Sequence, residues 1–204
     1  MIGLIDCGSG NVPSVAAALK KVNTRFKFIK KKNDFDNINK IILPGIGSFK
    51  KFIDNLKKED LFSEIQKLCK DNEIAIFGIC VGYQALFEHS DEFGETTGLG
   101  LLKGEVKNLK HFKKNIKIPH VGWNNCSIIK KKSIFKDVDE ENDFYFTHSY
   151  APFNVSEQVI SSITEYQGEK IISSIEINNI FGVQFHPEKS QSAGLKILKN
   201  FCEI

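Results

Sequence analysis

Strand-like and helix-like segments alternate through the first 90 residues of the chain. The strand-like segments are MIGLID, FKFI, KIILPG and EIAIFGI. Between them, apolar residues recur at helical spacing from Asn11 or Ser14 to Val22, and along one stripe over residues 49–69. Strands that alternate with helices, several of them continuously apolar, predict a parallel sheet covered on both faces.

The second half of the chain consists mainly of short strand-like segments separated by turn residues. These segments are GLGLLKGEVKNL, IPHVGWN, DFYFTHSYAPF, QVISSITEYQGEK, IISSIEINN and IFGVQFHPE. They predict an antiparallel or mixed extension of the same sheet, closed by a helix over about 190–202. Because no repeat or linker interrupts the pattern, we expect residues 1–204 to form one α/β domain. Its mostly parallel open sheet would be flanked by helices.

The composition argues against several classes of function. A formal net charge of +3 and lysine runs without interleaved aromatic residues do not favour nucleic-acid binding. Five cysteines without C-x-x-C spacing or metal-ligand clustering predict a reduced, cytoplasmic protein, and we expect neither a metal nor a cofactor. We expect no secretion signal, because MIGLIDCGSGN has no basic n-region or small-residue cleavage site, and no membrane span, because the apolar runs are shorter than the roughly 20 residues required.

The segment GICVG places Cys80 between Gly78 and Gly82, where a strand is expected to turn into a helix. This is the spacing of a nucleophile elbow, with sulfur replacing the serine oxygen. Small neighbours are needed because the backbone crowds itself at such a turn. A helix N-terminus would favour the thiolate, and the amide of Val81 would point into an oxyanion hole. The alternative is a buried packing cysteine with two incidental glycines.

Two further segments supply groups that a nucleophilic cysteine needs. In QFHPEKS, His186 could take the thiol proton and Glu188 could orient the imidazole, both projecting to one side of an extended segment. In LPGIG, Gly45 and Gly47 leave backbone N–H groups bare, which suits a second oxyanion donor, the amide of Ile46. Alone, each segment could equally be a loop or a tight turn.

Together these motifs resemble the class I, triad-type glutamine amidotransferases, and the resemblance extends over nearly the whole chain. Within that family, PHVGWN and HPEKS resemble the branch of glutaminase subunits of imidazole glycerol phosphate synthase. The segments that carry the resemblance are MIGLIDCGSGN, LPGIGSF, GICVGYQALFE, GLGLLKGEV, IPHVGWN, FYFTHSY and GVQFHPEKSQSAGLKILKNF.

The resemblance implies that Cys80 attacks the side-chain amide of L-glutamine and forms a glutamyl thioester, with His186 as base and Glu188 as its orienting group. It places the oxyanion hole at Val81, Ile46 and Gly47, formed after a backbone flip near Gly45. Substrate contacts would come from Gly45, Gln84, His148, Ser149 and Tyr150.

The resemblance also implies a partner, a (β/α)8-barrel synthase subunit that receives the ammonia for imidazole glycerol phosphate and AICAR synthesis in histidine biosynthesis. Asn11, Trp123, Tyr145 and Lys189 match positions that face such a barrel, although Trp123 and Tyr145 could instead be ordinary core aromatics. His120 could help the interface or simply pack.

Three alternative functions follow from the same residues. Cys7 and Pro13 depart from the branch pattern in the first βα turn, which fits a paralogue that supplies ammonia to a sugar amidotransferase in surface-polysaccharide synthesis. A cysteine hydrolase or chaperone-like protein with another triad geometry is disfavoured by the HPE segment. A non-catalytic subunit is disfavoured because all three triad candidates are present.

Overall fold

The computed structural model describes residues 1–8, 11–71 and 74–204, and it has an eight-stranded sheet in the order β2-β1-β3-β4-β14-β13-β12-β9. The first five strands in this order run parallel, and β13, β12 and β9 continue the sheet in antiparallel pairing. The strands are β1 (Ile2–Ile5), β2 (Phe26–Ile29), β3 (Lys40–Gly45), β4 (Ala75–Cys80), β9 (Ser127–Ile128), β12 (Ile160–Tyr166), β13 (Glu169–Ile177) and β14 (Ile180–Val183).

The predicted parallel sheet with an antiparallel extension is therefore confirmed, but not every second-half segment joins it. Strands β8 (His120–Asn125) and β10 (Asp143–His148) form a separate two-stranded ribbon. A third sheet has the order β11-β7-β5-β6. Its strands are β5 (His89–Ser90), β6 (Thr96–Thr97), β7 (Glu105–Asn108) and β11 (Tyr150–Phe153). The expectation of one continuous sheet was wrong for these segments because local alternation does not specify which strands pair.

The helices are α1 (Val12–Lys21), α2 (Phe49–Lys58), α3 (Leu61–Lys70), α4 (Val81–Gln84) and α5 (Gln191–Glu203). The stripe expected over residues 49–69 is divided between α2 and α3. Asp60, with φ 56°, lies between them in the left-handed region, through which a right-handed helix cannot continue. Both helices still bury apolar residues, among them Phe52 of α2 and Ile65 of α3. No helix in the described part of the chain is long and apolar enough to cross a membrane.

The register of the central strands brings the three sequence motifs to one edge of the sheet. Gly45 at the end of β3 lies opposite Cys80 at the end of β4. On the other side of β4, Val183 of β14 lies opposite Ile79, so the chain leaves β14 next to the cysteine. Binding sites of open parallel sheets form beyond these carboxyl ends.

Candidate active site

Cys80 occupies a strained turn at the end of β4. Its φ of 54° and ψ of −109° lie outside the regions that ordinary residues favour, and α4 begins at the next residue. Both flanking glycines are sterically required. A Cβ on Gly82 would lie 1.8 Å from the carbonyl oxygen of Leu43, and one on Gly78 would lie 2.7 Å from the Gly82 oxygen. The turn therefore exists only because no side chain stands at either position.

His186 and Glu188 form a buried pair just after β14. His186 Nδ1 lies 2.7 Å from Glu188 Oε1, and the side chains are 1% and 0% exposed. The expected extended geometry holds only for His186, because Pro187–Lys189 form a 3-10 turn. This turn, which begins at the proline, carries the carboxylate back toward the imidazole.

The surroundings of His186 favour its protonated form. Burial alone lowers the pKa of the imidazole, but the Cys80 thiolate charge and the Glu188 carboxylate raise it to about 10. The Nε2 atom is buried and makes no hydrogen bond to any residue that the structure describes. That nitrogen is therefore available to exchange a proton with the thiol.

The sulfur of Cys80 has two further polar neighbours. It lies 3.9 Å from the carbonyl oxygen of Thr147, to which a thiol can donate. Gln184 Nε2, also at 3.9 Å, can donate to the sulfur. Gln184 was not among the predicted site residues, although its place two residues before His186 in an extended segment indicates that both side chains face one side.

Asn11 contacts the catalytic candidates directly. Its side-chain amide donates to Glu188 Oε1, the oxygen that also meets the imidazole, and lies 3.4 Å from His186 Nδ1. The sequence predicts Asn11 only at the surface toward a partner. The structure adds a second contact, because the residue before α1 lies next to the 3-10 turn that carries Glu188.

A cavity of about 370 Å³ opens beside these groups. Most of the predicted site residues line it, namely Ile46, Gly47, Cys80, Val81, Gln84, His148, Ser149, Tyr150, His186 and Lys189. Gly45 does not; it packs under the elbow, where a Cβ would lie 2.6 Å from the Gly82 nitrogen. Glu92, Pro119 and Thr147 also line the cavity and were missed.

Glu92 places a carboxylate on the cavity wall. Its Oε2 accepts a hydrogen bond of 2.6 Å from the backbone N–H of Phe49, while burial raises the pKa of this carboxyl. The segment SDEFGE gave no signal for this role, because Glu92 is brought to the site by long-range packing against the start of α2.

Gln84 lies one helical turn after Cys80 and is buried. Its amide donates to the Tyr150 carbonyl oxygen at 2.8 Å and to Gln184 Oε1 at 3.1 Å. The side chain thus joins the elbow to Tyr150, the first residue of β11.

The partner-facing candidates Trp123 and Tyr145 lie opposite each other on neighbouring strands of the ribbon, with ring centroids 5.9 Å apart. Trp123 is 47% exposed, which rules out the core alternative for this residue. The Lys189 ammonium lies 5.3 Å from the Tyr145 ring centroid, within the range of a cation–π interaction.

The remaining cysteines have different surroundings. Burial raises the pKa of Cys69 and of Cys126 to about 12, which keeps both thiols protonated. Within residues 1–8, 11–71 and 74–204, no group of three His, Cys, Asp or Glu side chains could hold a metal ion.

Known proteins match the chain over its whole length. The sequence profile of the family Glutamine amidotransferase class-I matches residues 3–204. The chain belongs to this family. Imidazole glycerol phosphate synthase subunit HisH 1 of Campylobacter jejuni (strain RM1221) is 38% identical over 204 residues, covering 100% of both chains. Subunit HisH of Aquifex aeolicus (strain VF5) is 42% identical over 201 residues, covering 97% of this chain and 94% of its own.

Two solved structures share the fold of the chain. PurLQS from Thermotoga maritima superposes with a TM-score of 0.76 at 19% identity, covering 99% of this chain and 97% of that chain. A crystal structure of a glutamine amidotransferase gives a TM-score of 0.75 at 16% identity, covering 100% of this chain and 99% of that chain. At such identities these structures support the class I fold alone.

Proposed function

We propose that this chain is the glutaminase subunit of an imidazole glycerol phosphate synthase in histidine biosynthesis. It hydrolyses L-glutamine to glutamate and ammonia, and the ammonia passes to a (β/α)8-barrel synthase subunit that makes imidazole glycerol phosphate and AICAR. The observation that carries the proposal is the buried His186, whose Nδ1 lies 2.7 Å from the Glu188 carboxylate and whose ring also interacts with the Cys80 side chain.

In the first half-reaction, the Cys80 thiolate attacks the side-chain carbonyl carbon of glutamine. The carbonyl electrons move to oxygen, and the amides of Val81 and of Ile46 or Gly47 stabilise that oxyanion. When the tetrahedral intermediate collapses, the C–N bond breaks and the His186 imidazolium gives its proton to the leaving nitrogen. Ammonia departs and a γ-glutamyl thioester remains on Cys80.

In the second half-reaction, water attacks the thioester. His186, now neutral, takes a proton from the water as the oxygen bonds to carbon, and the C–S bond breaks to release glutamate and the thiolate. Glu188 holds the imidazole tautomer and stabilises the cation when it forms, without itself transferring a proton.

The cavity offers groups of the right charge for the amino-acid end of the substrate. The Glu92 carboxylate suits the α-ammonium group, and the backbone of His148, Ser149 and Tyr150 suits the α-carboxylate and amine. Gln84, which hydrogen-bonds to the Tyr150 carbonyl, keeps this backbone at a fixed distance from the elbow.

The barrel partner would dock on the side of the ribbon that carries Trp123 and Tyr145. Lys189 lines the cavity and also lies over the Tyr145 ring, so it connects this surface to the site of ammonia release. Asn11, which also donates a hydrogen bond to Glu188, would be the fourth residue at this interface. Ammonia that escapes to water is mostly protonated to ammonium, which is not a nucleophile, so a docked acceptor would keep the released ammonia in its reactive form.

Two broader proposals follow from the same function. Residues 1–204 would act as a single amidotransferase domain, which the family match over residues 3–204 supports. The enzyme would work in the cytoplasm, where glutamine and reduced thiols are available. The surface-polysaccharide alternative is not favoured, because relatives 38–42% identical over the full length carry the name of the histidine-pathway synthase.

The test uses the full chain co-expressed with the barrel subunit from the same source. Cys80→Ala is expected to abolish glutamine-dependent synthesis of imidazole glycerol phosphate, while synthesis from added ammonium salts persists. Cys126→Ala is the matched control, because this thiol is about as buried as that of Cys80 but has no proposed role in catalysis. It should retain both the glutamine-dependent and the ammonium-dependent synthesis. Glutamine hydrolysis by Cys80→Ala would contradict the assignment of the nucleophile.

A further inference from the structure

The ribbon of β8 and β10 has two chemically different faces. On the outer face, Val121 and Trp123 are 54% and 47% exposed. On the inner face, His120 and His148 lie opposite each other in the antiparallel register and are 2% and 6% exposed. A pair of histidines is thus buried directly behind the surface proposed for the partner.

The hydrogen bonds of this pair define the tautomer of each ring. His148 Nδ1 lies 2.9 Å from the Tyr150 carbonyl oxygen, which can only accept, so Nδ1 carries the proton. In a neutral ring, His148 Nε2 then accepts, and the donor is His120 Nδ1 at 3.0 Å. His120 Nε2 in turn accepts from the Asn124 amide at 3.4 Å.

Both rings are held neutral by their surroundings. Burial lowers the pKa of His120 to about 4, and burial together with the neighbouring His120 lowers that of His148 to about 3. His120 is also stacked between two aromatic rings, with centroids 4.6 Å from Phe146 and 4.0 Å from Tyr166. The stack fixes the plane of the imidazole and hence the direction of its N–H group.

The same chain of hydrogen bonds reaches the cavity. The Tyr150 carbonyl that accepts from His148 also accepts from Gln84, whose amide contacts Gln184, which in turn contacts the Cys80 sulfur. The Tyr150 carbonyl accepts from both sides, so His148, which His120 orients, supplies one of the two hydrogen bonds that hold this carbonyl in place. The ends of this chain are the inner face of the ribbon and the nucleophile.

We propose that His120 is a positioning residue for glutamine binding, acting through His148 to fix the Tyr150 carbonyl and the Gln84 amide on the wall of the cavity. This inference rests on the proposed glutaminase function. The His120 side chain does not line the cavity, although the preceding Pro119 does, and the imidazole reaches the cavity wall through its hydrogen bond to His148. Without the His120 N–H donor, the buried Nε2 atom of His148 has no hydrogen-bond partner, and the His148 ring is free to rotate. The Ser149–Tyr150 backbone, against which glutamine would bind, is then held less firmly.

Two substitutions separate positioning from packing. His120→Phe keeps an aromatic ring between Phe146 and Tyr166 but removes the N–H donor. His120→Asn loses the stack but places an amide N–H near the position of Nδ1. Both are made in the full chain and measured in complex with the synthase subunit, with L-glutamine as the varied substrate, alongside wild type and Cys80→Ala.

We expect His120→Phe to melt somewhat below wild type, because His148 loses a buried hydrogen bond while the aromatic stack is kept, and the KM for glutamine to rise about five- to tenfold, the equivalent of that one hydrogen bond. His120→Asn should melt at a lower temperature but bring KM back toward the wild-type value. An unchanged KM in His120→Phe, or KM values that follow the melting temperatures of the two variants, would overturn the positioning role.

A measurement on the unmodified protein covers the case in which the variants do not fold. Long-range proton–nitrogen spectra of the histidine rings at pH 6.5 should show His120 and His148 neutral and protonated on Nδ1. An Nε2-protonated or cationic ring at either position would contradict the proposal. If wild type itself fails to hydrolyse glutamine, the proposed function fails instead, whatever the state of these rings.

Discussion

His186 and His148 are buried histidines on the wall of one cavity, and their environments favour opposite charge states. Burial lowers the pKa of both rings. For His186 the thiolate of Cys80 and the carboxylate of Glu188 outweigh that effect and raise the pKa to about 10. For His148, which meets the His120 ring and a backbone carbonyl, burial dominates and the pKa falls to about 3.

The difference shows that opposite charge, more than burial, determines what a histidine does here. A cationic His186 can donate a proton to a leaving amine, whereas a neutral His148 can only hold a hydrogen-bond direction. One side of the cavity is thus equipped for proton transfer and the other for support. Substitutions on the two sides should therefore differ in the property that they change as well as in the size of the effect.

The largest expected effect is on the charged side. His186→Gln should lower kcat for glutamine hydrolysis by about 10⁴-fold or more, because the proton donor and base are lost together. The loss of kcat in Glu188→Gln should be about 10- to 100-fold smaller, because Glu188 orients the ring and does not transfer the proton. Steady-state kinetics of both variants tests this order. Equal and total losses would mean that Glu188 has a structural role that the hydrogen bond to His186 does not explain.

A smaller effect is expected when the pH is lowered, because the neutral rings of His120 and His148 resist protonation in the folded protein. The unfolded chain binds protons on His120 and His148 as the pH falls through about 6.5, whereas the folded rings, with pKa values of about 4 and 3, stay neutral. The free energy of unfolding should therefore fall between about pH 6.5 and pH 4, by up to about 1.4 kcal/mol per pH unit for each ring.

Urea unfolding at pH 7 and pH 5 measures this dependence. His148→Asn keeps a donor toward the Tyr150 carbonyl but has no titrating ring, so it should lose less stability than wild type over the same interval. Identical losses in the two proteins would show that His148 is not held neutral in the folded state.

The smallest expected effect concerns the hydroxyl group of Tyr83, which, unlike the two histidine rings, is buried without hydrogen bonds to the described residues. The Tyr83 hydroxyl, just after the elbow, is buried and has no hydrogen-bond partner among the described residues. Removing an unsatisfied buried hydroxyl should raise stability, so Tyr83→Phe is expected to increase the free energy of unfolding by about 1 kcal/mol. A clear decrease in urea unfolding experiments would mean that the hydroxyl is satisfied after all.

The sequence predicted the charged side of the cavity better than the neutral side. Cys80 with its two glycines and His186 with Glu188 are local patterns, and each follows a predicted strand, so the rule that sites form beyond the carboxyl ends of strands brought them together. The pairing of His120 with His148 depends instead on the register of two strands that are far apart in sequence. Local alternation does not set that register.

Other omissions have similar physical causes. Glu92 reaches the cavity through packing against α2, and Asn11 reaches Glu188 across the sheet edge. The break at Asp60 has no glycine or proline to mark it. In each case the deciding contact joins residues far apart in sequence, or the backbone adopts a conformation that the residue type does not indicate.

Covalent trapping tests the central claim, that Cys80 is the nucleophile of a glutaminase. A diazoketone analogue of L-glutamine takes up a proton at its diazo carbon and loses N2 as a thiolate attacks that carbon, leaving a stable thioether. After incubation in complex with the synthase subunit, peptide mass spectrometry should find one label, on Cys80, in an amount that falls when excess L-glutamine is present. An unlabelled Cys80, or labelling of Cys69 or Cys126 at an equal rate, would contradict the account.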